Sequence, residues 1–546
     1  MPATTADGGA TVLGRVWALF DRVYPLNLII YMIFWPLLEL LFYFRVCRFL
    51  RVRGAQVLAH CVDDTAEVER FWSRAMAEEE APVIDTVLRG WFLGDTGQVC
   101  EGNLHDLVSW TLHARPTHEL SSAQRAKAAR VLMQLTKRVE SVGVYPPGRN
   151  SRLQCMLHSL EPLVPCHKPL IFYLVWQTVR ELTWALLRRR GYELRTHGTL
   201  SYWFHPGSPP RAGAPPRDGN SSPPPPIVFL HGVGGLVTYI PLLLELRASQ
   251  PHSAQIVPFM AHCSLVAPAY DPSLPLDASE FVDDLAATVR AYADASGATA
   301  ARALFFGHSL GTAFLASVVK AHPSLVGAAV LVDPICFLLF YRDVVYNFLY
   351  AEPKPLRHGL GQALHVGYWF RLALHYLLKQ EPTIQSCFRR EFSWARHWLH
   401  PSDMHFPAYV SLSGRDAIVP SHKVHAHLSS WAAATAISEA HGGLTSGSGN
   451  EASGRGVEVA LHARRHHGWS MLDPFARRVV VSKVDELLKK MVRRAQERGA
   501  SPLEDVPLRK QPAAVGETED EGTEEETGEE ESTSTSRGPS TAETHA

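Results

Sequence analysis

The stretch ALFFGHSLGTAFLASVVK, residues 303–320, decides which fold the rest of the chain adopts. Residues 303–306 form an apolar run with the length of a buried strand. The pattern G-x-S-x-G follows as GHSLG, and residues 312–320 continue without proline or glycine, as a helix does. A strand, a tight turn and a helix are the context in which this pattern marks a nucleophile elbow. We therefore predict that Ser309 is a nucleophile held at the carboxyl end of a strand.

Other apolar runs predict the remainder of a sheet around this elbow. They fall at residues 227–230, 255–260, 328–332, 408–412 and 457–461, with a strand or hairpin at 192–204. Helical patterns separate most of these runs, which predicts parallel strands with helices covering both faces. The fold class expected from the sequence is therefore α/β.

A serine hydroxyl becomes a good nucleophile only when a base accepts its proton and a third group orients that base. An acid, Asp416, follows a strand within SGRDAIVP, and the pair His466 and His467 follows the last strand within HHGW. The chain order serine, acid, histidine is the one required by a fold that carries a nucleophile elbow of this kind. We favour His467 as the base because the small Gly468 leaves room in the turn, with His466 in reserve. Asp333, at the end of the preceding strand, is the rival acid.

Two backbone amides are expected to stabilise an oxyanion beside Ser309. One is the amide of Leu310 at the start of the elbow helix, and the other is that of Val233 in the turn HGVGG. A phosphate-binding loop would need a lysine that HGVGG lacks. The histidines on a probable helix after Pro420 have no Cys or Asp nearby to complete a metal site, so we predict neither a metal nor an organic cofactor.

These motifs resemble the α/β-hydrolase superfamily over about residues 192–497. The resemblance implies an eight-stranded, mostly parallel sheet with a helical lid. The segment YNFLY at 346–350, together with the N-terminal apolar stretch and the WFLG…GN region, is similar to a group of membrane-anchored fungal and algal hydrolases. The acyltransferase pattern H-x-x-x-x-D is absent after His467, so no transferase activity is carried over. A serine at the elbow, where an aspartate would stand, also counts against an epoxide hydrolase or dehalogenase.

The composition divides the chain into regions. Residues 512–546 carry eleven acidic residues against one arginine, which leaves the remainder with a net charge of about +9. A basic body suits an anionic membrane surface, and nothing resembles a nucleic-acid module. We predict a membrane anchor at 1–54, a helical region at 55–190, a hydrolase domain at 191–497 with a cap insertion at 334–404 and a disordered loop at 438–456, and a disordered acidic tail at 498–546.

Residues 23–44 are the predicted anchor, because they form a stretch of 22 residues with Glu39 as the only formal charge. Arginines at 45, 48, 51 and 53 follow, which places the domain behind them in the cytosol. Pro36 leaves both a single span and a one-leaflet hairpin open. Residues 170–190 are a second apolar stretch that suits either a membrane-interface helix or an ordinary packing helix. The eight scattered cysteines favour reduced thiols, and endoplasmic reticulum or lipid droplet is the expected membrane.

Together these observations predict a membrane-anchored serine hydrolase that cleaves an ester or thioester with an apolar acyl chain, most simply a lipid. The alternative is a catalytically idle hydrolase fold that acts as a scaffold at a membrane. The complete Ser, Asp and His set argues against that alternative. Reaction with a fluorophosphonate probe separates the two hypotheses.

Overall fold

The structure is a computed structural model that describes residues 30–55, 65–77, 79–208, 224–265, 278–298, 301–353, 369, 372–441 and 456–498. The chain divides into two compact units, Met1–Ala495 and Gln496–Ala546. Residues 23–29 of the predicted anchor, most of the predicted loop at 438–456 and nearly all of the acidic tail lie outside the described residues. The first unit holds the sheet, its helices and the site described below.

An eight-stranded sheet organises the first unit, in the order β10-β9-β8-β7-β5-β6-β4-β3. Strands β5 to β10 pair in parallel, whereas β3 and β4 form an antiparallel hairpin at one edge, with β4 antiparallel to β6. The prediction of a mostly parallel sheet is therefore confirmed. The strands are β1 (Phe92–Leu93) and β2 (Gln154–Cys155), which pair separately, and β3 (Glu193–His197), β4 (Leu200–His205), β5 (Ile227–Leu230), β6 (Gln255–Pro258), β7 (Ala303–His308), β8 (Val326–Val332), β9 (Ala408–Ser413) and β10 (Val457–His462).

Helices connect and cover these strands. The α-helices are α1 (Trp35–Ala55), α2 (Thr65–Ala77), α3 (Ala81–Gly90), α4 (Glu101–His113), α5 (Ser122–Val139), α6 (Leu170–Arg189), α7 (Ile240–Ser249), α8 (Ala278–Ser296), α9 (Leu310–Ala321), α10 (Asp343–Val345), α11 (Pro382–Ser386), α12 (Trp394–His397), α13 (Ser421–His441), α14 (Trp469–Leu472) and α15 (Pro474–Arg498). Short π-helical segments lie at Ile30–Phe34, Tyr346–Tyr350, Leu374–Lys379 and Cys387–Glu391. Short 3₁₀ turns lie at Thr96–Gln98, Thr117–Glu119, Leu236–Tyr239, Ala261–Cys263, Pro323–Leu325 and Pro401–Asp403.

Both faces of the sheet are buried, because alternate residues of the central strands enter two different cores. Val228 and Phe305 belong to one apolar cluster, whereas Phe229, Leu304 and Phe306 belong to the other. Side chains along a strand alternate between the two faces, so a strand that is apolar at every position needs cover on both. The expected layer of helices on each face is confirmed.

The helical region before the sheet shares the first of these cores. The indole nitrogen of Trp91 donates a hydrogen bond of 2.9 Å to the carbonyl of Phe340, which follows β8. Trp110 stacks on Trp394, with ring centroids 5.7 Å apart and an angle of 13° between the ring planes. Because these aromatic contacts bury large side chains from both segments, the helical region and the segment between β8 and β9 stabilise each other.

The single charge of the predicted anchor has a structural role. The carboxylate of Glu39 in α1 accepts hydrogen bonds from the amide of Leu170 at 2.9 and 3.1 Å, and thereby caps the N-terminus of α6. Helix α1 runs to Ala55, past residue 44, where the apolar stretch of the predicted anchor ends. Among the described residues, no helix has both the length and the apolar character needed to cross a membrane. A membrane span at 23–44 stays a prediction.

Candidate active site

The elbow around Ser309 joins β7 to α9 through a strained turn. Ser309 has φ of 52° and ψ of −120°, a backbone conformation that L-residues rarely adopt. A side chain at Gly311 would put a Cβ atom 2.1 Å from the carbonyl oxygen of Leu230, so only glycine fits there. The turn therefore holds the Ser309 hydroxyl at the carboxyl end of β7, as the G-x-S-x-G pattern predicts.

The three side chains proposed from the sequence meet at this elbow. The distance from Ser309 Oγ to His467 Nε2 is 2.9 Å, and that from His467 Nδ1 to Asp416 Oδ2 is 2.7 Å. In the neutral imidazole, Ser309 donates to Nε2 while Nδ1–H donates to the carboxylate. The second oxygen of Asp416 accepts the amides of Ile418 and Val419 at 2.7 and 3.0 Å, which fixes the carboxylate. This is a serine–histidine–aspartate geometry that can transfer a proton away from the serine.

The two reserve residues lie close to this set but face differently. The imidazole of His466 has no hydrogen bond among the described residues, and its carbonyl accepts the Trp469 amide at 3.0 Å. Asp333 is fully buried, and its Oδ2 accepts the Gly468 amide at 2.7 Å. Asp333 therefore holds the backbone directly after His467, whereas Asp416 holds the imidazole itself.

The two carboxylates set the charge of the site. Burial alone would lower the pKa of His467, but the charge and hydrogen bond of Asp416, with a contribution from Asp333, raise it to about 9. Burial raises the pKa of Asp333 to about 6, since the charged form of a desolvated carboxyl is disfavoured. Asp416 and Asp333 thus stabilise the imidazolium that forms when neutral His467 accepts the serine proton, and the fraction of His467 that is neutral increases with pH.

The amides of the two predicted oxyanion donors, one after β5 and one after β7, have no partner elsewhere among the described residues. The amide of Gly232 donates to Tyr239 Oη at 3.0 Å, and that of Gly234 donates to the Cys263 carbonyl at 2.8 Å. Between them, the amide of Val233 has no acceptor among the described residues, and the same holds for Leu310 at the first position of α9. Neither amide is thus engaged elsewhere, and their role as donors to an oxyanion beside Ser309 stays a prediction.

Sequence reasoning missed a buried link between the elbow and this turn. Tyr239 Oη, which accepts the Gly232 amide, lies 2.7 Å from His308 Nδ1. Burial holds the pKa of His308 well below its ordinary value, so its ring is neutral, and its Nδ1 shares a hydrogen bond with the hydroxyl of Tyr239. The residue before the nucleophile is thereby tied to the residue before Val233. The only signal of this contact in the sequence is the histidine at the first x position of G-x-S-x-G.

Two groups of described side chains bring together atoms of the kind that bind metals. Asp333, Asp416 and His467 form one, but the hydrogen bonds above occupy both nitrogens of the imidazole and both oxygens of Asp416. The other is His262, Cys387 and Glu391, whose ligand atoms lie within 4.8 Å of one another. These residue types are zinc ligands, and they lie outside the triad.

Comparisons with known proteins find similarity only to solved structures, at low sequence identity. No protein-family profile and no curated protein matches the chain. Among solved structures, a protein assigned as a lipase from Acinetobacter baumannii is 14% identical, with 59% of this chain and 97% of that one covered and a TM-score of 0.35. An esterase of Pyrococcus furiosus (13%, 55% and 90%, TM-score 0.32) and a carboxylesterase of Bacillus subtilis (12%, 58% and 97%, TM-score 0.33) are also similar.

At such identities and TM-scores, the class of fold rests on the strand order and the elbow of this chain itself. Those features define an α/β-hydrolase-like fold with a mostly parallel eight-stranded sheet. The resemblance to membrane-anchored fungal and algal hydrolases stays a prediction.

Proposed function

We propose that this protein is a serine hydrolase of esters or thioesters. The observation that carries the proposal is the pair of distances of 2.9 and 2.7 Å that link Ser309 to His467 and His467 to Asp416. Such a set is suited to acyl transfer, because the serine hydroxyl needs the histidine to accept its proton and the histidine needs the aspartate to orient it. The strained conformation of Ser309 supports the same reading, since strain of this kind persists at functional sites.

In the proposed reaction, Ser309 Oγ attacks the carbonyl carbon of the substrate and passes its proton to His467 Nε2. Asp416 stabilises the imidazolium, and the amides of Val233 and Leu310 donate to the oxyanion. The tetrahedral intermediate then collapses, and His467 returns the proton to the departing alcohol or thiol. A water molecule, activated by His467, attacks the acyl-enzyme and releases the carboxylic acid. No step requires a metal or an organic cofactor.

We further propose that the substrate is a lipid and that the protein is held at a membrane. Support comes from the first described segment, in which large apolar side chains are exposed along the segment rather than on one stripe. A soluble helix of a monomer rarely shows such continuous apolar exposure, whereas a membrane-inserted one needs it. The apolar side chains of this segment that are between 45% and 70% exposed are Met32, Ile33, Phe34, Leu37, Leu38, Leu40, Leu41, Tyr43 and Phe44.

The test is covalent labelling of the full chain by a fluorophosphonate probe, which reacts only with an activated serine. We expect labelling of the wild type and none of Ser309→Ala. Ser317→Ala is the matched control, because Ser317 is buried in α9, the helix that begins directly after Ser309, and hydrogen-bonds His397 instead. Absence of labelling in the correctly folded wild type would refute the hydrolase and favour the idle scaffold.

A further inference from the structure

Helix α6 carries an apolar stripe that faces away from the protein. Ile171, Leu174, Val175 and Leu182 are 52%, 44%, 55% and 66% exposed. Their spacing of three, four and seven residues puts them on one side of the helix, opposite the buried Tyr173 and Leu187. A packing helix turns such a stripe inward. We call these four residues the α6 stripe.

Thr178 and Glu181, the polar side chains nearest the α6 stripe, both have partners within α6. The exposed hydroxyl of Thr178, which continues the stripe, donates to the carbonyl of Leu174 at 2.8 Å. Arg180 and Glu181 form an ion pair of 2.7 Å. A surface with internally satisfied polar groups loses little when water is removed from it.

Basic residues border the apolar surfaces. Arg188, Arg189 and Arg190 are exposed at the C-terminal end of α6, and Arg45 and Arg48 are exposed where the apolar part of α1 ends. Exposed arginines next to exposed apolar side chains suit a bilayer surface, because the arginines can contact anionic headgroups while the apolar side chains enter the hydrocarbon.

A second outward-facing apolar stripe begins two residues after His467. Trp469, Leu472, Phe475 and Val479 are 50%, 48%, 76% and 44% exposed. We call these four residues the His467 rim. Helices α6 and α14 both contact the turn Leu236–Tyr239, which follows the loop that carries Val233. The α6 stripe and the His467 rim thus belong to elements that flank the same part of the candidate site.

We propose that the α6 stripe and the His467 rim form a docking surface for an anionic lipid bilayer. Helix α6 lies in the plane of the interface and holds the loop that carries Val233 against the lipid. If the proposed hydrolase activity holds, this geometry makes the substrate an ester that resides in the bilayer. Docking itself does not depend on that activity.

Photocrosslinking identifies what covers the surface. The full chain carries benzoylphenylalanine in place of Leu174 or of Phe475 and is irradiated in vesicles of phosphatidylcholine and phosphatidylserine with radiolabelled acyl chains. We expect radiolabel on the protein at both positions. The control position is Met133, the large apolar side chain of α5 that is exposed (63%) while the others of that helix are buried, and we expect none there. A crosslinked dimer would assign the surface to a second copy, and a crosslink within the chain to another segment; either overturns the proposal, as does equal labelling at Met133.

A kinetic test then separates docking from catalysis. The double variant Leu174→Glu, Leu182→Glu is compared with Met133→Glu on an ester dissolved in water and on an ester embedded in vesicles. We expect the double variant to lose about tenfold in rate with the vesicle ester only, because charged residues oppose contact with lipid. Equal loss on both esters, or none on either, would contradict the docking surface. If the wild type cleaves neither ester, the proposed function fails while the crosslinking result still decides on docking.

Discussion

At the scale of single residues, neighbouring histidines with opposite surroundings distinguish a base from a bystander. His467 lies 2.9 Å from Ser309 Oγ, whereas the His466 imidazole has no hydrogen bond among the described residues. We expect His467→Ala to lower turnover as much as Ser309→Ala, leaving only about 10³ to 10⁴ over the reaction in water. His466→Ala is the control and is expected to keep most activity. Steady-state hydrolysis of a soluble ester measures both; a dead His466→Ala with an active His467→Ala would reverse the assignment.

Replacing either of the two buried aspartates is expected to shift the pH dependence in the same direction but to affect turnover differently. Neutral His467 is the active base, and the raised pKa of about 9 predicts that kcat/KM increases with pH on the alkaline side of 6.5. Removing a negative charge destabilises the imidazolium, so both Asp416→Asn and Asp333→Asn are expected to move the midpoint to lower pH. Only Asp416→Asn is expected to lose roughly 10⁴ in turnover, because its amide favours the wrong tautomer.

Rate against pH for the three proteins provides the measurement. If Asp333→Asn shows the large loss and Asp416→Asn stays active, the acid role passes to Asp333. An unchanged midpoint in Asp333→Asn would mean that its charge does not reach the imidazole.

At the scale of elements, Tyr239 joins the elbow around Ser309 to the loop that carries Val233. Tyr239→Phe leaves the Gly232 amide and His308 Nδ1 without partners in a buried place, which costs about 1–3 kcal/mol of folding stability. We also expect turnover to fall about tenfold, because the loop that carries Val233 is less well fixed. Thermal unfolding and ester hydrolysis measure the two effects.

The matched control is Tyr145→Phe, which removes a hydrogen bond of 2.5 Å to Asp85 in the helical region. It is expected to reduce stability without changing turnover. Equal turnover in the two variants would show that the link from Tyr239 serves stability alone.

At the scale of the whole molecule, we expect membrane attachment with the hydrolase unit on the cytosolic side. The basic residues after residue 44 favour that side, and the scattered positions of the eight cysteines favour reduced thiols. In sealed microsomes, Ser309 is expected to react with an external probe, and Asn220, in a glycosylation sequon, to carry no glycan. Deletion of residues 1–53 is expected to weaken membrane binding. An endoglycosidase-sensitive glycan on Asn220 would place the unit in the lumen.

Local patterns by themselves determined the α/β class, the approximate bounds of the strands and the elbow at Ser309. This is because a strand buried on both faces reads as a continuous apolar run, and a nucleophile elbow needs glycines within two residues of the serine. The sequence also narrowed the acid and the base to two residues each. It could not choose between them by contact, because hydrogen bonds from His467 reach partners 158 and 51 residues away.

Only the tertiary structure decided which of the two histidines contacts Ser309 and which of the two aspartates contacts that histidine. It also changed the meaning of Glu39, which the sequence presents as a lone charge in a membrane stretch and which the fold uses to cap α6. The role of Tyr239 was likewise decided by the tertiary structure, since nothing near it in sequence shows that its hydroxyl lies between Gly232 and His308. The physical reason is common to all three: a polar side chain is placed by the partner that satisfies it, and that partner lies far away along the chain.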